Sequence, residues 1–190
     1  DMQWAYWILL FINEINDTLG YDFSYTPNCY PISGCYKTNI HPVGTILSVG
    51  AFGALRILKN HLQMAMGAIY IANSLDKKLR FHINNSATIE QEGNSILKNL
   101  IYLFENTKHE LVIHNWETHS EFLEAIKRMD LILQISMSDS FNLVAADGIF
   151  HGIPVVGSKE IKFLAPWYQS ETTNFEDITN NKHQMTNKFQ

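Results

Sequence analysis

Residues 136–158 read SMSDSFNLVAADGIFHGIPVVGS. The stretch leading into it, DLILQIS (130–136), has the composition of a buried strand, since four of its seven residues are large and aliphatic. Ser138, Asp139 and Ser140 stand as loop and N-cap candidates for a helix over FNLVAADGIFHG. Gly152 ends that helix, and IPVVGS supplies a second strand. Strand, helix and strand in this order form one βαβ unit of a parallel sheet. Asp139 and Asp147 have seven residues between them, and Asp147 is expected two turns into the helix, on a face near the one where Asp139 begins.

That geometry carries chemistry. Ligands of open α/β sheets sit at the carboxyl ends of the strands. A helix that starts there aims unpaired N–H groups and partial positive charge at whatever is bound, which suits phosphate. Two carboxylates on the same rim accept hydrogen bonds from sugar hydroxyls. The plain alternative is that Asp139 caps the helix and Asp147 is a solvated helix residue.

Upstream, strands and helices alternate. TILSVGAF (45–52), LRFHIN (79–84) and ELVIHNW (110–116) read as strands. A helix after the first carries Leu62, Ala65, Met66 and Ile69 at amphipathic spacing, with its methionines as core fillers. NNS with TIEQEG reads as loop, before a helix over 93–106 with Ile96, Leu100, Leu103 and Phe104 on one side. A further helix over 119–129 has Thr118 or Ser120 as its cap. The alternation over 45–158 predicts an α/β fold with a doubly wound parallel sheet. The expected organisation is a leading helix, short strand (21–27) and Pro/Gly linker over 1–44, a Rossmann-like domain over 45–175, and a polar tail over 176–190.

The first strand of this series runs into VGAFGALRILKN (49–60). Gly50 and Gly53 let the backbone turn and approach a ligand closely. Arg56 and Lys59 follow at the rim, where a guanidinium forks phosphate oxygens and an ammonium acts as a point charge. The pattern is neither the dinucleotide fingerprint nor the P-loop, and surface cations are the plain reading. After the third strand, HNWETH (114–119) offers Trp116 to stack on a base or fill a loop, with His114 and His119 beside it. His151 reads as structural, and no general base is assigned.

The chain has 190 residues and a net charge of −5. That is enough for one cored domain, and no basic stripe supports nucleic-acid binding. Cys29 and Cys35 are too few for a disulfide framework, so a reduced, cytoplasmic setting is expected, with local pairing as the alternative. WAYWILLFI (4–12) is too short to span a bilayer. It reads as a helix that packs on another domain, and Lys and Arg are absent from the first 36 residues, which leaves membrane contact peripheral at most.

The run 136–158 resembles retaining GT-B glycosyltransferases of the group 1 type, which carry S-x-x-E-S-F-G-L-V-x-x-E-A-x-x-x-G-x-P-V-V. Asp139 and Asp147 replace the two glutamates, and Asn142 stands where Gly is common. The resemblance covers about 22–175 and is strongest at 45–60 and 110–158. It implies the C-terminal, donor-binding half of the GT-B fold, with a nucleotide diphosphate sugar as donor substrate, no cofactor and no metal. By resemblance, Asp147 binds ribose hydroxyls and Asp139 lies near the donor sugar. Ser140 and the backbone around Phe141, Asn142 and Leu143 face the donor. The same enzymes carry a G-x-x-x-x-x-K-G/N element whose basic residues neutralise the diphosphate, matched here by Gly53, Arg56, Lys59 and Asn60. The loop bearing Trp116 lies beside the nucleobase.

The resemblance implies retaining transfer to a hydroxyl acceptor in polysaccharide biosynthesis. It also implies an N-terminal acceptor half that this sequence lacks, so that residues 4–12 present a cut interdomain surface or a self-association face. A nucleotide-sugar epimerase on the same fold is an alternative that needs further acid/base residues. A non-catalytic nucleotide-binding module is the other.

Overall fold

The computed structural model describes residues 12–20, 22–24, 30, 44–84, 91–139 and 141–170. The expectations for 4–11, Cys29, Cys35, Ser140 and the tail fall outside them. The chain divides into two compact units, Asp1–Pro31 and Ile32–Gln190.

In the first unit residues 12–19 are helical (α1). Gly20 closes the helix at φ 66°, with its N–H on the Asn16 carbonyl. The expected strand is absent at 22–24. The Asn16 side chain instead takes both Phe23 backbone groups, accepting from N at 2.8 Å and donating to O at 2.9 Å. That occupies the Phe23 N–H, the donor that a strand ladder would use.

The second unit holds the expected α/β fold. Its elements are β1 (Ile46–Gly50), a 3₁₀ turn (Ile57–Lys59), α2 (His61–Ser74), β2 (Lys78–Asn84), α3 (Gln91–Glu105), β3 (Glu110–His114), α4 (His119–Ile126), β4 (Leu131–Gln134), α5 (Leu143–Phe150), β5 (Val155–Ser158) and β6 (Gln169–Ser170). All pairings are parallel in the order β3-β2-β1-β4-β5-β6. The order reverses between β1 and β4, where Gly50 lies opposite Ile132. A crevice opens at such a switch point.

Two apolar layers sandwich the sheet. One joins Leu47, Val49, Phe81 and Leu133 to α2 and α3 through Met64, Ala68, Ile71 and Leu100. The other joins Phe52, Ile132 and Val155 to α4 and α5 through Ile126 and Ala145. Leu131, Ile132 and Leu133 are fully buried, as a central parallel strand covered on both faces requires.

Several boundaries differ from expectation. α5 begins at Leu143, not at Phe141, and its N-cap is Asn142 rather than a residue of 138–140. Asp147 therefore lies one turn in. The buried face of α2 runs through Met64, Ala68, Ile71 and Ala72, while Met66 is 48% exposed. Small residues on that face bring the helix close to the sheet, a feature hidden from a search for large apolar residues. α3 starts two residues early, at Gln91. Thr118 is the α4 cap, and it exchanges hydrogen bonds with Glu121 in a capping box.

Candidate functional site

Among the described residues, the segments 51–60 after β1 and 135–139 with 141–142 after β4 flank the switch point, and Trp116 and Glu117 after β3 share a cavity with Gly53. The β1 loop is pinned twice. Gly53, at φ 117°, donates its N–H to Asn84 Oδ1 at 3.1 Å, and the Phe52 carbonyl accepts from Gln134 Nε2 at 2.9 Å. The positive φ is a conformation that side chains rarely adopt. Across the turn, Met137 donates its N–H to the Leu58 carbonyl at 2.8 Å.

This pinning places Lys59 beside Asp139. Lys59 Nζ donates to Asp139 Oδ2 at 2.7 Å across 80 residues of sequence. The same oxygen accepts from Asn142 Nδ2 at 2.7 Å and Ser136 Oγ at 3.0 Å. Burial pushes the Asp139 carboxyl up, but the hydrogen bonds from Lys59, Asn142 and Ser136 outweigh it and hold the pKa below the usual carboxylate value. Asn142 carries the network further. Its Oδ1 accepts from the Ala145 N–H at 2.8 Å, capping α5, and its Nδ2 also reaches Gln134 Oε1 at 2.9 Å. Lys59, Asp139, Phe141 and Asn142 line a cavity of about 130 Å³ at the start of α5.

A second cavity of about 330 Å³ shares Gly53, Leu143 and Val144 with the first. Asp147, Trp116, Glu117 and His119 line it. Asp147 is 1% exposed, and its Oδ2 lies 3.4 Å from His119 Nε2. Trp116 is 63% exposed, so its indole is open to stacking rather than filling the loop. On the neighbouring strands β2 and β3, His82 Nδ1 and His114 Nε2 share a hydrogen bond at 2.9 Å, and the His114 and Phe52 rings pack edge to face. Burial, with His114 and Arg80 nearby, lowers His82 to about 4.

The expected cations are not brought together. Arg56 is extended (φ −134°, ψ 151°) while Lys59 ends the 3₁₀ turn, and the two side chains line different cavities. Arg56 and Asn60 line a third cavity, of about 440 Å³, with His61 and α3 residues. Asn60 takes φ 59° to start α2, and burial together with Lys59 lowers His61 to about 4. His151 is buried against Phe150, and burial lowers its pKa. Among the described residues no cluster of three or more His, Cys, Asp or Glu side chains suits a metal, and no helix is long and apolar enough to cross a membrane.

Sequence reasoning missed Gln134, Asn84, Ser136 and His82. Gln134 left one signal, an amide at the end of an otherwise aliphatic strand. His82 left none, because its contact with His114 depends on strand register.

No family model matches the sequence, and no curated protein matches it by sequence. The fold, in contrast, is similar to solved glycosyltransferases. The C-terminal domain of LpcC, a glycosyl transferase group 1 family protein from Francisella tularensis, superimposes with a TM-score of 0.61 at 15% identity, covering 75% of this chain and 78% of that one. Staphylococcus aureus TarM, in a complex with fondaparinux, α-GlcNAc-glycerol and UDP, gives 0.57 at 15% identity over 91% of this chain and 35% of that one. A UDP-forming α,α-trehalose-phosphate synthase from Burkholderia xenovorans gives 0.59 at 10% identity over 74% and 36%. The chain thus spans about a third of the length of the latter two. At these identities the likeness shows the fold: a Rossmann-like α/β unit of the kind that forms the C-terminal half of GT-B glycosyltransferases.

Proposed function

We propose that this chain is the donor-binding part of a glycosyltransferase, which holds a nucleoside diphosphate sugar for transfer to a hydroxyl acceptor. The observation that carries the reading is the pair of adjoining cavities at the switch point. One presents the Lys59 ammonium beside the start of α5, and the other presents the Asp147 carboxylate beside an exposed indole. A nucleoside diphosphate has matching parts: a charged end for the first cavity, hydroxyls and a flat base for the second.

In this reading Asp147 accepts from ribose hydroxyls, Trp116 stacks on the base, and Gly53 and Leu143 form the waist between the cavities. Phe141 and Asn142 border the diphosphate–sugar junction, and a donor contact for Ser140 follows the resemblance of the 136–158 run. Asp139 lies where the donor sugar joins the phosphate. Arg56 and Asn60, at the neighbouring cavity, add positive potential and shape at the rim rather than a place in this pocket. During transfer the bond from the anomeric carbon to the phosphate oxygen breaks, and the acceptor oxygen bonds to that carbon. The acceptor proton passes to the departing diphosphate or to solvent. Lys59 stabilises the charge that develops on the diphosphate.

Retention of configuration follows the resemblance of the 136–158 run, as does a role in polysaccharide assembly. The acceptor site is assigned to a further domain outside these cavities. UDP stands in the descriptions of two of those neighbours, which makes it the first ligand to try.

Calorimetric titration with a panel of nucleoside diphosphates and their sugars tests the reading, run on the chain and on Asp147→Ala. The expected result is saturable binding of one nucleotide class, weakened about tenfold in the variant, as for loss of a hydrogen bond to a charged group. Binding of no member, or binding that Asp147→Ala leaves unchanged, overturns it.

A further inference from the structure

The ammonium that the donor reading needs is already occupied. Asp139 Oδ2 takes three hydrogen bonds, from Lys59, Asn142 and Ser136, and its side chain is 8% exposed against 26% for Lys59. The carboxylate is not loosely placed. Asn142 holds it while capping α5, and Gln134 holds Asn142 while bonding to the Phe52 carbonyl. The chain therefore carries a fixed anion in the cavity where an incoming diphosphate would place its own charge.

We infer that the Lys59–Asp139 pair is a latch: a nucleoside diphosphate is held only after displacing the Asp139 carboxylate from Lys59 Nζ. The inference rests on the donor reading above. An ammonium has three N–H donors, so hydrogen-bond geometry alone would let it serve both anions. Electrostatics opposes that sharing, because two anions crowded against one cation in a partly buried site repel each other. The empty protein thus spends most of its time closed to the ligand, and apparent affinity falls by the open fraction. Asn142 sets how firmly the latch is shut. A glycine at that position, as in the resembled run, has no amide to hold the carboxylate. The cost of opening falls on the charged ligand alone, since a neutral nucleoside occupies the second cavity without displacing the pair.

The test is calorimetry with UDP and with uridine on the wild type, Asp139→Asn and Lys59→Gln. The latch predicts that Asp139→Asn binds UDP about tenfold tighter than wild type, because the open-fraction penalty disappears. It predicts uridine affinity unchanged, and UDP affinity lost in Lys59→Gln. An Asp139→Asn protein that binds UDP equally or more weakly, while Lys59→Gln still loses it, overturns the latch and leaves the donor reading standing. Absence of UDP binding in the wild type overturns both. Should Asp139→Asn fail to fold, the Lys59 side-chain ammonium resonance of the wild type gives the same answer, assigned by its loss in Lys59→Arg. The latch requires it to shift on saturation with UDP and to stay in place with uridine. An ammonium signal that ignores UDP at saturation contradicts it.

Discussion

The two ends of the cleft are built in opposite ways. The end formed by the loops after β1 and β4 is small and cross-braced, with Lys59, Asp139, Asn142, Gln134 and Phe52 joined in one chain of hydrogen bonds. The end formed by the loop after β3 and the first turn of α5 is wider. It presents Trp116 to solvent and places the exposed His119 over a buried Asp147. Bracing ties the Lys59 charge to Asp139, so a ligand that takes the ammonium breaks a contact that also supports the fold. An open aromatic wall tolerates variation in what it stacks on. The difference separates two kinds of mutational effect: changes at the braced end disturb stability and binding together, whereas trimming the exposed indole of the open end disturbs binding alone.

The largest effect is expected from Lys59→Ala. Removing the ammonium leaves Asp139 facing any incoming phosphate, so UDP affinity falls about 100-fold, in the range for truncating one partner of a buried charge pair. Uridine affinity measured beside it stays unchanged if the two ends are independent. A parallel loss for uridine would erase the distinction between them.

The next effect is on pH-dependent stability. His61, at the start of α2, and His82, in β2, are both lowered to about 4, with burial as the main cause. Between about pH 6.5 and 4 the unfolded chain then binds protons that the folded chain refuses, so stability falls as pH drops through that window and is level above it. Asp139 acts in the same direction at lower pH, because its depressed pKa contributes stability that is lost on further acidification. Urea unfolding across pH 4–8 measures this. His61→Gln and His82→Gln are each expected to flatten the slope, and a flat wild-type profile would contradict the assignment.

Asn142→Ala removes both a helix cap and the tie to Asp139. It is expected to cost about 2 kcal/mol of unfolding free energy, the upper range for a cap. Trp116→Ala, by contrast, should leave stability within about 0.5 kcal/mol, as for exposed substitutions. Its effect is on the ligand, with uridine binding about fivefold weaker from loss of one stacking surface. Equal destabilisation by the two variants would mean that the ends are braced alike.

Much of the fold was legible in the sequence because parallel strands buried on both faces announce themselves. LILQIS and IPVVGS need only length and aliphatic content to be read, and Gly152 marks a helix end at φ 68°. The acidic pair was legible too, by spacing. The network between its parts was not. Asn142 drew attention as a departure in a backbone pattern, whereas its side chain is what caps α5 and ties down Asp139. Arg56 and Lys59 stand three apart, a spacing that suggests a shared face, but they line different cavities. The two-residue β6 carries too few residues for any periodicity, and it exists because Gly157 and Ser158 offer an edge to pair with.

The most direct measurement is a crystal structure of the chain soaked with UDP. The account predicts the diphosphate against Lys59 Nζ, the ribose within hydrogen-bond distance of Asp147 and the uracil over Trp116. Nucleotide bound at any other place, with the Lys59–Asp139 pair still closed at 2.7 Å, would contradict it.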